Sequence, residues 1–92
     1  GEVIAVLRSA PEELEEQYSL KFYAGHDNLD SYEAAAIRLR SGRQLGLLRH
    51  SGSPDRGTEV HADPGDDAEA ARAELLEALE LGGDAFSWTS SA

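Results

Sequence analysis

The stretch SYEAAAIRLRSGRQLGLLRHSG (Ser31 to Gly52) constrains the fold more than any other. Two apolar-rich runs flank Arg40-Ser41-Gly42, a three-residue loop in which Gly42 takes the left-handed conformation of a bulged turn. That loop sets the register. Leu39 then faces Arg43, Ile37 faces Leu45, Ala35 faces Leu47 and Glu33 faces Arg49, which gathers the apolar side chains on one surface. A two-residue turn at Ser41-Gly42 pairs Ile37 with Gly46 and breaks up that surface. The stretch is therefore a β-hairpin, and at least part of the sheet is antiparallel.

The other elements follow from periodicity. Glu2 to Arg8 is a strand with apolar residues on both faces, Val3, Ala5 and Leu7 on one and Ile4 and Val6 on the other. This predicts a strand covered on both sides or one that meets a second copy of the chain. Ser9 caps a short helix of about two to three turns, with Glu12 completing a capping box, Pro11 in the first turn and Leu14 and Tyr18 buried. Leu20, Phe22 and Ala24 alternate with Lys21 and Tyr23 in a second strand, which turns at Gly25 to Asp30. Thr58 to Asp63 is another strand, with Val60 and Ala62 inward and Glu59, His61 and Asp63 outward.

The long helix starts at Asp66, with Glu69 in a second capping box. It buries Ala68, Ala71, Leu75, Ala78 and Leu79, and Gly82 or Gly83 caps its end. Phe86 and Trp88 share one side of a last short strand, and residues 89–92 form a fraying tail. The predicted class is α+β: a small, mostly antiparallel sheet with two helices in the order β-α-β-β-β-β-α-β. Residues 1–92 form one domain, as suits a chain of 92 residues.

Charge narrows function. The chain has 18 acidic and 8 basic residues, a net charge of -10. Residues 1–30 carry -5, residues 31–57 carry +3 and residues 58–92 carry -8. Nucleic acid and anionic membranes are excluded as expected ligands, because both need clustered Lys and Arg. No cysteine is present, so disulfides, thiolate zinc sites and cysteine nucleophiles are ruled out, and a reducing, cytoplasmic setting is expected. No bilayer-spanning run or signal-like start is visible. No nucleophile motif and no phosphate-cradling loop occurs; Ser51 to Gly57 reads as a plain loop.

The candidates for chemistry are few. His50, His61 and Asp63, with His26 or Asp27, are residue types that bind divalent metals, but their spacing matches no metal motif. Surface histidines at strand ends are the plainer reading, and no cofactor is expected. Features for partner binding are clearer: the acidic helix face of Glu12, Glu13, Glu15 and Glu16, and Trp88 on a short edge strand. These point to a small acidic, non-enzymatic protein-binding domain, an inhibitor or immunity-like factor for a basic protein partner; its likeness to immunity proteins and antitoxins is compositional. A homo-oligomeric structural or regulatory domain is the alternative, and a His-centred metal or small-molecule site a third.

Overall fold

The computed structural model describes residues 1–28 and 30–91. Leu29, in the expected turn, and Ala92, in the expected tail, lie outside the described residues. The elements are β1 (Glu2–Leu7), α1 (Pro11–Tyr18), β2 (Tyr23–His26), β3 (Ser31–Arg38), β4 (Gln44–His50), β5 (Thr58–Ala62), α2 (Ala68–Leu79), a single 3-10 turn (Gly83–Ala85) and β6 (Phe86–Thr89). The strands form one six-stranded sheet in the order β2-β3-β4-β5-β1-β6, and every neighbouring pair is antiparallel. This is the α+β architecture that the element order predicts.

The β3–β4 hairpin has the predicted register, with Ile37 opposite Leu45, Ala35 opposite Leu47 and Glu33 opposite Arg49. Leu39 N–H donates to the Arg43 carbonyl at 2.7 Å, and Gly42 is left-handed at φ 95°. The three-residue turn therefore sets which side chains enter the core.

One sheet face is covered. Leu14 of α1 and Ala71, Leu75 and Leu79 of α2 pack with Ala5, Leu7, Leu45, Leu47 and Val60 in a single hydrophobic cluster. Among the described residues, no helix lies over the opposite face. Its strand positions include Val3 and Val6 of β1, Ala34 and Ala36 of β3, Gly46 and Leu48 of β4, and Glu59 and His61 of β5, each on the side opposite the buried partners in the register. Alternation on β5 holds: Thr58, Val60 and Ala62 are buried, while Glu59 and His61 are half-buried on the open face.

Within the chain the first strand is covered on one side only, and its two faces differ from the simple alternation of its sequence. The register shifts between Val3 and Ala5, so Val3 pairs with His61 and Ala5 with Val60. This bulge at Ile4 moves Val3 to the open face beside Val6, and Ile4 becomes buried. A second shift, between Val6 and Leu7, pairs Val6 with Trp88 and Leu7 with Phe86. Phe86 and Trp88 therefore face opposite sides: Phe86 packs against the core, and Trp88 remains 49% exposed. The strand end is held as well, since Ser90 N–H donates to the Ile4 carbonyl at 2.9 Å.

Both helices begin one residue later than their sequence signals indicate. Ala10, not Ser9, caps α1, and Glu13 rather than Glu12 folds back to accept from Ala10 N–H at 2.9 Å. The Ser9 carbonyl instead accepts from the buried Thr58 hydroxyl at 2.8 Å. Asp67, not Asp66, caps α2 and accepts from Ala70 N–H at 3.1 Å. The far end of α2 is closed by Glu80 at φ 56°, ahead of Gly82 and Gly83, with Leu81 N–H bonded to the Leu76 carbonyl at 2.9 Å. Ala78, expected in the buried stripe, is exposed.

Asp66 is displaced from the cap by a long-range ion pair. Arg43, the residue that follows the hairpin turn, contacts Asp66 at 2.5 Å and donates to the Asp67 carbonyl at 3.3 Å. Its Nε lies 3.3 Å from Glu74 but off the hydrogen-bonding line, so that contact is charge alone. Arg43 thus clamps the hairpin tip to the start of α2. Replacing it by Met is expected to cost about 1–1.5 kcal/mol, the range of a partly exposed charged hydrogen bond. Arg43→Lys should recover less than half of that, because an ammonium lacks the planar fork. Thermal melts of the two variants check this, and full rescue by Lys would argue against the clamp.

Candidate functional site

The structure keeps the three histidines apart. His61 faces Gly46 and His50 faces Tyr32. Gly46 and His50 are four residues apart on β4, roughly 13 Å along an extended strand. His50 Nε2 lies 3.6 Å from Asp27, and its ring meets Tyr32 edge-on at 6.0 Å. His26 Nδ1 lies 3.2 Å from the Ser31 hydroxyl. Asp63 falls beyond the end of β5, beside Arg43 and Gln44 at the hairpin tip. Among the described residues, no group of three or more His, Cys, Asp or Glu side chains is placed to hold a metal ion.

Glu59 and His61 do meet, with Nε2 2.9 Å from Oε1. A carboxylate beside an imidazole orients a base for nucleophilic catalysis only if a hydroxyl or thiol adjoins it. Across the register the flanking positions are Gly46 and Val3 for His61, and Leu48 and Val6 for Glu59. None is a nucleophile, so the cross-strand neighbours supply no group for the pair to activate.

The acidic helix divides into two kinds of residue. Glu13 satisfies the Ala10 N–H, and Glu15 accepts from Phe22 N–H at 2.8 Å. Those two carboxylates hold the backbone at either end of α1. Glu12 and Glu16 lie one turn apart and exposed, with no such task.

A second acidic locus, which sequence reasoning missed, adjoins the far end of the same helix. The Tyr18 hydroxyl donates to the Leu79 carbonyl at 2.8 Å, which ties the C-terminal end of α1 to that of α2. Helix C-termini carry partial negative charge and normally attract cations. Neither helix has a basic residue in its last turn. Instead Glu16 is near the end of α1, and Glu77 and Glu80 are at the end of α2. Lys21, the nearest base along the chain, sits 6.0 Å from the Tyr23 ring.

A half-open hollow of about 710 Å³ adjoins this corner, between the hairpin tip and α2. Leu39 and Ala78 supply apolar wall, Glu74, Glu77 and Glu80 supply carboxylates, and Arg40 and Ser41 complete the rim. The Ser41 hydroxyl and Arg43 already engage Glu74. Glu77 and Glu80 have no side-chain partner among the described residues. Counting caps, α1 carries four acids and no base, and residues 67–80 carry five acids and one base. The helical layer therefore holds -8 of the chain's -10. No helix among the described residues is long and apolar enough to cross a membrane.

No protein-family model, no curated protein and no solved structure matches the chain.

Proposed function

We propose that this protein is a non-enzymatic binding domain for a basic protein partner, which docks on the helical layer and places an Arg or Lys side chain in the hollow beside Glu77 and Glu80. The observation that carries this reading is the joined pair of helix C-termini, lacking any base of their own and flanked by three acids. Anions at a helix C-terminus cost stability, about 0.3–1 kcal/mol each. The Glu80 backbone adds a left-handed, non-glycine cap. A cation supplied from outside relieves the electrostatic cost, and the apolar wall at Leu39 and Ala78 suits the aliphatic stem of a long basic side chain. An inhibitor or immunity-like role is one use of such a surface, and the acidic layer would speed capture of the partner at low salt.

A chain with this charge attracts any polycation, so the test must separate site from net charge. A fluorescein-labelled arginine-rich peptide is titrated with three proteins: the parent, Glu77→Lys/Glu80→Lys, and Glu2→Lys/Glu33→Lys. Both variants change net charge equally. The first pair should lose about tenfold or more in affinity, about 1.4 kcal/mol, and the second about twofold or less. Equal losses would mean that bulk charge, rather than this corner, holds the peptide.

A further inference from the structure

The open sheet face, remote from the acidic corner, has a different character. We infer that it is a self-association surface, on which two copies of the chain pack sheet against sheet about a two-fold axis. The inference is independent of the basic-partner reading, since no residue of the hollow takes part.

Charge is the first argument. Two molecules of net charge -10 repel unless they meet where acid is absent. The strand positions on this face carry one acid, Glu59, and one permanent base, Arg38. The two charges offset one another in sum, and each side chain has a hydrogen-bond partner in its own chain: Glu59 with His61 at 2.9 Å, and Arg38 with the Gln44 carboxamide oxygen at 2.6 Å once that amide is oriented to accept. Such a face requires no charge from its partner. It suits a second identical face better than a basic protein or a nucleic acid, either of which would bring cations or phosphates to a surface with nothing to pair them.

Shape is the second. Small residues, Ala34 and Ala36 on β3 and Gly46 on β4, lie together toward the β2 side of the face. Large ones stand at its two sides: Tyr23, 65% exposed, on β2, and Trp88, 49% exposed, on β6. Sheets that pack face to face keep their strand directions within about 30° of each other and lie about 10 Å apart. The small residues leave room for a partner copy's side chains, and the exposed aromatics at the two edges supply apolar contact area. An axis along the strands lays the β6 end of one copy over the β2 end of the other, so Trp88 meets the partner copy's tyrosine edge.

Area is the third. A compact chain of 9.9 kDa exposes about 5200 Å², whereas this one exposes 5787 Å², in keeping with a sheet left bare on one side. Six strands of about five residues span roughly 29 by 17 Å. That footprint is below the roughly 800 Å² that each partner of an ordinary stable interface contributes, which fits a weak dimer that forms in the micromolar range.

Sedimentation velocity from about 1 to about 500 µM, in about 0.15 M salt to screen the distant acids, reads the outcome. The parent should pass from monomer to dimer within that range, with Trp88 emission moving to the blue as the dimer forms. Ala36→Glu, at an exposed site that tolerates the side chain, should weaken dimerisation at least about 30-fold while leaving the low-concentration melt and the peptide affinity unchanged. Trp88→Ala should weaken it too. A parent that stays monomeric throughout overturns the inference, as does a dimer that survives both substitutions unaltered.

Discussion

Leu47→Ala should remove about 3–4 kcal/mol of stability, whereas Leu48→Ala, one residue further on, should cost less than about 1.5 kcal/mol. Leu47 is fully buried and lies between Ala35 and Val60 in the centre of the sheet. Its side chain belongs to the cluster that includes Leu14 and Leu75, so truncation opens a cavity where sheet and helices meet. Leu48 pairs with Ala34 and Glu59 on the open face and is only half-buried. A chain of this length has about 5–14 kcal/mol of total stability, so the first substitution takes a large share and the second does not. Urea midpoints measured at low protein concentration, where self-association is absent, give the comparison. Similar costs at both positions would mean that the sheet is covered on both faces.

Gly57→Ala should cost about 2–3 kcal/mol, although it adds a single methyl group. A Cβ at Gly57 would sit 2.1 Å from the Leu7 carbonyl oxygen. That oxygen is backbone of β1 and cannot rotate away. Gly57 N–H is held by Asp55 at 2.8 Å, and the next residue, Thr58, pairs with Leu7. Relief therefore requires β1 and β5 to part at the end that also carries the Thr58–Ser9 bond. Gly83 is the matched control: nothing lies within 4 Å of its Cβ position, and Gly83→Ala should fall within about 0.5 kcal/mol of the parent. Thermal or urea unfolding of the two variants tests the contrast, and equal stability would show that β5 does not enter the sheet so close to Leu7.

What the sequence made legible was governed by local chemistry. Arg40-Ser41-Gly42 sets a turn type, the turn sets a register, and the register sorts Ile37, Leu45 and Leu47 to one face. Alternation from Thr58 to Ala62 likewise identifies the face on which Glu59 and His61 stand. What escaped was long-range. Nothing in Val3-Ile4-Ala5 announces a bulge; the two neighbours of β1 impose it, and it turns Val3 to the open face. Asp66 and Asp67 are equivalent as helix caps until Arg43, more than twenty residues earlier, claims the first. Glu12, Glu13, Glu15 and Glu16 look alike along the chain, yet Ala10 and Phe22 engage two of them. The acidic corner depends on the bond from Tyr18 to Leu79, across 61 positions, and no periodicity encodes that distance.

The basic-partner account is tested most directly by amide shift mapping as the arginine-rich peptide is added to the labelled protein. Shifts should concentrate at residues 39–41 and 74–81 and saturate together, with Ala34, Ala36 and Gly46 unmoved. Shifts spread evenly over every exposed acid, or centred on the open sheet, would contradict it.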